Sequence, residues 1–173
     1  MKKRHIVLVG LPGAGKTTVG RLVAQRLGAP FVDLDQLIES REGNSVSAIF
    51  AEQGEAAFRA VERAVGEELL AGAPTVIAPG GGFFLDAGTR RRTLDVACAV
   101  YLETSPRIAA ERLAGQSDRP LLEGGDMARR IGELLSQREA AYLEAPCRVT
   151  TDGRSAKDVA DAVCELARAE AGW

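Results

Sequence analysis

The sequence predicts an α/β fold in which five parallel strands form one sheet with helices on both faces. Three observations carry this prediction. Short β-branched or aromatic-rich stretches near 6–9 (IVLV), 31–34 (FVDL), 75–78 (TVIA), 98–102 (CAVYL) and 148–150 (RVT) read as buried strands. Helical patterns lie between them, and strands separated by helices need crossover connections, hence a mostly parallel sheet with ligand sites at the carboxyl ends of its strands. A glycine-rich segment, Gly10–Thr17, stands where the first strand gives way to the first helix.

Taken in order, the first strand is followed by Val19, Leu22, Val23 and Leu27 at helical spacing, with Gly28 as the stop. After the fourth strand, Ser105-Pro106 reads as the N-cap and first turn of a helix running through Leu113. After the fifth, Ser155 and Asp158 form a capping-box-like pair ahead of Val159, Val163 and Leu166. The stretch 115–125 (GQSDRPLLEGG), polar and flanked by glycine, reads as a mobile surface loop and candidate lid. No repeat, low-complexity segment or linker interrupts the chain, so residues 1–173 are expected to form one domain.

Composition narrows the function. The 22 Lys plus Arg against 24 Asp plus Glu give a net charge of −2, so no global positive field marks the chain for nucleic acid or an anionic membrane, and any anion site must be local. The Arg90-Arg91-Arg92 run, with Asp86 and Asp95 nearby and no interleaved aromatics, reads as a solvated face. The apolar run after the basic start stops at Gly10, too short for a signal peptide, and no run reaches the ~18 apolar residues that a membrane span requires. Three separate cysteines and one histidine, His5, argue against a zinc site or a disulfide framework; a cytoplasmic location is expected.

Gly10-Leu-Pro-Gly-Ala-Gly-Lys16-Thr17 matches GxxxxGK[ST] in the strand-to-helix context that the pattern requires. Glycines let successive backbone N–H groups face phosphate oxygens, and the helix N-terminus adds its positive dipole end. Nucleotide contacts are therefore expected from Gly13, Ala14, Gly15, Lys16, Thr17 and Thr18, with Thr17 offering its hydroxyl to Mg²⁺. ATP is favoured over GTP, because the sole asparagine, Asn44, precedes Ser45 and no Asp-x-x-Gly occurs. Asp33 and Asp35 flank Leu34 at the end of the second strand, where strand alternation would put both carboxylates on one face: one to hold a metal-bound water, the other to take a hydroxyl's hydrogen bond or proton. Capping or turn carboxylates are the alternative.

Joined in order by Gly54-Glu55-x-x-Phe58-Arg59-x-x-Glu62, Gly80-Gly81-Gly82, Arg119-Pro-Leu-Leu and Arg138-x-x-x-Tyr142, these motifs resemble the shikimate kinase family from about Ile6 to Leu166. The resemblance implies a P-loop NTPase fold of the nucleoside monophosphate kinase type, and transfer of the γ-phosphoryl of ATP to the 3-hydroxyl of shikimate by a Mg²⁺-dependent monomer. It implies that Arg59 and Arg138 bind the acceptor's carboxylate, that Asp35 takes ring hydroxyls and is the base, and that Gly80, Gly81 and Gly82 border the acceptor. Lys16 and Arg119 would stabilise the transferring phosphoryl, Thr17 and Asp33 would hold the metal, and Arg112 and Arg154 would sandwich adenine.

The residues suit that chemistry on their own terms. A planar guanidinium pairs bidentately with a carboxylate, although Glu55 and Glu62 stand at helical spacing from Arg59 and could simply pair with it. Arg138 has no acidic residue at such a spacing. Pro79 before the triple glycine and Phe83-Phe84 after it depart from the smaller residues the resemblance leads one to expect, and bear on the shape of the acceptor pocket. Tyr142 reads as packing and Trp173 as a frayed terminus. The competing readings are another small-molecule kinase of the same fold, such as a gluconate or nucleoside monophosphate kinase, or a nucleotide-dependent switch without phosphoryl transfer.

Overall fold

The computed structural model describes residues 3–114 and 126–173. The proposed lid, 115–125, and Arg119 within it therefore lie outside the described residues. One parallel sheet runs in the order β2-β3-β1-β4-β5: β1 (His5–Val9), β2 (Phe31–Asp33), β3 (Val76–Ala78), β4 (Ala97–Glu103) and β5 (Cys147–Thr150). All five expected strands are present. β1 is buried at every position, as a central strand covered on both faces must be.

Helices α1 (Lys16–Leu27), α2 (Leu34–Glu42), α3 (Val46–Ala71), α4 (Ala87–Val96), α5 (Pro106–Leu113), α6 (Met127–Tyr142) and α7 (Ala156–Glu170) cover the sheet. They divide the core in two. Val7, Val9, Tyr101 and Ile77 face α2, α3 and α6, whereas Ile6, Leu8, Cys98 and Val100 face α1 and α7. The expected helix ends hold: Gly28 closes α1 in the left-handed region (φ 61°), Ser105 caps α5, and Ser155 with Asp158 forms a complete capping box on α7. Among the described residues no helix is long and apolar enough to cross a membrane.

Three expectations are corrected. Asp33 and Asp35 do not alternate along a strand, because β2 ends at Asp33, which becomes the N-cap of α2 by accepting from Gln36 N–H, and Asp35 lies in the first helical turn. Arg90 is not merely solvated; it donates to the carbonyls of Phe84 and Leu85 and pairs with Glu144 at 2.8 Å, fastening α4 to the turn after β3 and to the end of α6. Trp173 is not frayed, since its indole N–H donates to Arg4 O at 2.9 Å and its ring joins the α1/α7 side of the core.

Pro79, Phe83 and Phe84 are all buried, so they support the turn after β3 from below. Phe83 opens a short 3₁₀ turn (Phe83–Leu85), and its ring fills a notch on α3 made by Gly66. A Cβ on Gly66 would stand 2.8 Å from Phe83 Cζ and closer still to Cε2. Gly66→Ala should therefore lower stability by about 1–3 kcal/mol through overpacking, measured as a drop in the urea midpoint with unchanged slope; an unchanged midpoint would show that the notch is not tight.

Candidate functional site

The loop after β1 turns back on itself through Gly10, Gly13 and Gly15, all at positive φ. Gly13 also meets a packing limit, because a Cβ there would lie 2.6 Å from Ala109 O. Of the seven α-helices described, α1 alone has no side chain capping its N-terminus; Asp33, Ser45, Asp86, Ser105, Asp126 and Ser155 cap the others. The first N–H groups of α1 are thus left for a ligand. Lys16 bends back across the loop and donates to Gly10 O at 2.8 Å and Leu11 O at 2.9 Å. Thr17 donates its hydroxyl to Asp33 Oδ2 at 2.6 Å, which joins the mouth of the loop to the end of β2. Thr18 is exposed in the first turn of α1.

Next to this loop lies the turn Gly80–Gly82, placed there because β3 is the neighbour of β1. A Cβ on Gly81 would sit 3.2 Å from Pro12 Cδ and 2.8 Å from Arg138 Nη1, so the phosphate loop and α6 close on the turn from two sides. The Arg59 guanidinium lies flat against Gly82, where a Cβ would be 2.5 Å from its Cζ. At Gly80 a Cβ would stand 3.1 Å from Asp35 Oδ1 and 3.2 Å from Glu62 Oε1. Asp35, Arg59, Glu62 and Arg138, which come from α2, α3 and α6, therefore converge on three residues without side chains. A cavity of about 470 Å³ opens here, lined by Arg59, Glu62, Gly82, Arg138 and, further out, Arg63 and Asp86.

Arg59 satisfies both readings of its helix at once. It pairs with Glu62 at 2.6 Å and Glu55 at 3.4 Å, yet it also faces the turn. The two partners respond differently to the pair. Burial alone would lower the Arg59 pKa, but Glu62 and Glu55 outweigh it and hold the guanidinium above its usual value. At Glu62, which is only 2% exposed, burial outweighs Arg59 and raises the carboxyl above the ordinary range, with Asp35 adding to the rise and Arg138 opposing it. Among the described residues, buried Glu62 Oε1 has no hydrogen-bond partner, and a hydroxyl-bearing ligand would supply one.

Sequence reasoning assigned Tyr142 to packing, and its ring does pack on Tyr101, but its buried hydroxyl also donates to Gly81 O at 2.6 Å. Arg138 and Tyr142, one turn apart on α6, thus both close on the same glycine, and Tyr142 is bonded to it. The RxxxY spacing carried that signal, and only the position of the turn could decode it. Arg112 donates to Gly13 O and to both the hydroxyl and the carbonyl of Thr151, while exposed Arg154 folds onto Thr150 O and Asp158 O. Both arginines flank the loop after β5, and Arg112 alone reaches the phosphate loop.

A family model described as shikimate kinase matches residues 12–168. A shikimate kinase of Zymomonas mobilis is 42% identical over 160 residues, covering 92% of this chain and 91% of that protein. Among solved structures, shikimate kinase from Acinetobacter baumannii in complex with shikimate superposes with a TM-score of 0.91 at 35% identity, covering 96% of this chain and 94% of that one. A gluconokinase from Sinorhizobium meliloti, 19% identical with a TM-score of 0.65 and coverages of 98% and 94%, shares the fold.

The raised pKa of Glu62 has a consequence for stability. The native state holds this proton more tightly than the unfolded chain, whose carboxyl titrates near the ordinary 4.5, so native protein binds more protons as pH climbs from there to the raised value. The stability of the unliganded protein relative to Glu62→Gln should accordingly fall as pH rises above about 4.5, followed by urea denaturation at several pH values. Parallel pH profiles would show that Glu62 keeps an ordinary pKa.

Proposed function

The chain belongs to the shikimate kinase family, and on that premise we propose that it transfers the γ-phosphoryl of ATP to the 3-hydroxyl of shikimate, giving ADP and shikimate 3-phosphate on the route to chorismate and the aromatic amino acids. The observation that carries the reading is the convergence of two arginines and two carboxylates on Gly80–Gly82 beside the phosphate loop. A polyhydroxylated ring acid needs cations for its carboxylate and acceptors for its hydroxyls, and this is the set offered. A nucleotide switch without phosphoryl transfer has no use for it.

In this reading Arg59 and Arg138 clamp the acceptor's carboxylate, each from a different helix, and so fix the ring in one orientation. Asp35 orients the reacting hydroxyl and takes its proton. The backbone of Gly80–Gly82 admits the ring at close range. The N–H groups of Gly13, Ala14, Gly15, Lys16, Thr17 and Thr18 cradle the phosphates, and the Lys16 ammonium neutralises charge on the transferring group. Arg112 and Arg154 flank the base, and Arg119, outside the described residues, is assigned by the resemblance to the γ-phosphate.

The Thr17 hydroxyl and Asp33 carboxylate, 2.6 Å apart, form a hard oxygen pair that suits Mg²⁺, with Thr17 as a direct ligand and Asp33 acting through water. Such an ion, when bound, would supply charge neutralisation at the phosphates. Among the described residues no cluster of three or more acidic, histidine or cysteine side chains could hold a metal alone, so the remaining ligands would come from water and phosphate. The same reading takes residues 1–173 as a single-domain cytoplasmic monomer with ATP and shikimate as its partners and no role for nucleic acid or membrane.

Coupled measurement of ADP release tests the assignment. Turnover should depend on shikimate, and faster turnover with gluconate or a nucleoside monophosphate would overturn it. Arg59→Ala should weaken acceptor binding by about 1.5–3 kcal/mol, the value of a lost charge-assisted hydrogen bond, and spare the KM for ATP; equal losses on both sides would remove Arg59 from the acceptor. Asp35→Asn keeps the shape and removes the base, so kcat should fall by about 10²-fold or more, and near-normal kcat would reject Asp35 in that role.

A further inference from the structure

The dithiol formed by Cys98 and Cys147 lies at the amino ends of β4 and β5, away from the candidate site at the carboxyl ends of the strands. The two sulfurs are 3.6 Å apart across neighbouring parallel strands. In register, Cys147 faces Val100, and Cys98 stands two residues earlier on the same side of β4, so the pair is a diagonal one. Both residues are nearly buried, at 2% and 7% exposure, but together they line a cavity of about 390 Å³ with Arg4, Arg148, Pro146 and Glu170. That volume is within the range of small-molecule sites, and two arginines against one glutamate favour an anionic visitor.

We propose that Cys98 and Cys147 form a redox modification site that closes to an intramolecular disulfide on reaction with an anionic low-molecular-weight disulfide of the glutathione type. Cys147 reacts first, because it is the more exposed and sits on β5, which among the described residues is an edge strand bonded only to β4. Its thiolate attacks one sulfur of the small disulfide; a mixed disulfide forms and one small thiolate leaves. Cys98 then loses its proton to solvent, attacks Cys147 Sγ and expels the second small thiolate. Two protein thiols are oxidised and one small disulfide is reduced to two thiols.

The geometry favours ring closure over accumulation of the mixed form. The sulfurs need to approach by only about 1.5 Å to reach bonding distance, and among the described residues no strand pairs with the outer edge of β5. Burial first, and then Cys147, push the Cys98 thiol up to about 12, which keeps it from reacting first; capping Cys147 removes the second cause and leaves the first. Thiol–disulfide exchange runs in both directions, so a reducing thiol reopens the link and the modification is reversible. Cys164 on α7 is equally buried, at 2%, and provides an internal control. This inference is independent of the phosphoryl-transfer reading.

The test uses the folded full chain incubated with oxidised glutathione, then unfolded in N-ethylmaleimide and measured by intact mass and peptide mapping. The expected result is a drop from three alkylated thiols to one, on Cys164, with a Cys98–Cys147 cross-linked peptide that dithiothreitol abolishes. Cys98→Ser should stop at a glutathione adduct on Cys147, and Cys147→Ser should acquire none. Three alkylated thiols after exposure, a link through Cys164 or between two chains, or glutathione on Cys98 in Cys147→Ser would overturn the proposal.

Discussion

The bare backbone of Gly80–Gly82 is the constraint on which the candidate site depends. Two carboxylates, two guanidiniums and the phosphate loop all press on three residues at distances where a single methyl group would displace one of them. Side chains of opposite charge can be brought together without a glycine turn, but they would then quench each other. Here Arg59 and Glu62 do pair, at 2.6 Å, yet both also lie against bare peptide and, with Arg138, line one cavity. What supports the turn is correspondingly stiff: Pro79, Phe83 and Phe84 below, and the Tyr142 hydroxyl on the Gly81 carbonyl.

Sheet topology turns that local constraint into a reaction geometry. Placing β3 between β2 and β1 brings three carboxyl ends together, so the cap of α2, the uncapped start of α1 and the glycine turn become neighbours although they lie far apart in the chain. The Thr17–Asp33 hydrogen bond makes the junction explicit. Asp33 caps α2 with one oxygen and accepts from Thr17 with the other, so a structural and a ligand-facing role share one side chain. This is a reason for an acidic residue before Leu34 that strand alternation did not supply.

The strands, the glycine stop of α1, the proline start of α5 and the capping box of α7 were legible because each follows from local chemistry. The phosphate loop was legible for the same reason: its pattern and its strand-to-helix context lie within one short segment. Misjudged features depended on where a distant segment would arrive. The place of Asp35 depends on β2 ending at Asp33, and Trp173 reads as frayed from sequence because its partner, Arg4 O, lies at the other end of the chain. The weight of Glu62 was likewise hidden. Helical spacing announced its ion pair with Arg59, but its burial and its second neighbour, Asp35, come from packing α2 against α3.

The break in α3 bears on how the site tolerates change. Gly54 has φ 84° and ψ 169°, far from helical values, so the hydrogen-bond ladder that begins at Ser45 does not run unbroken to Arg59. In a continuous helix every added or deleted residue rotates all later side chains by about 100°. Gly54 acts as a phase reset: the common bearing of Arg59, Glu62 and Gly66 on the glycine turn is not set by an unbroken helical count from Ser45. The discontinuity therefore lets one turn seat Ile49 and Phe50 in the core while the next aims its charged side chains at the site on an azimuth of its own.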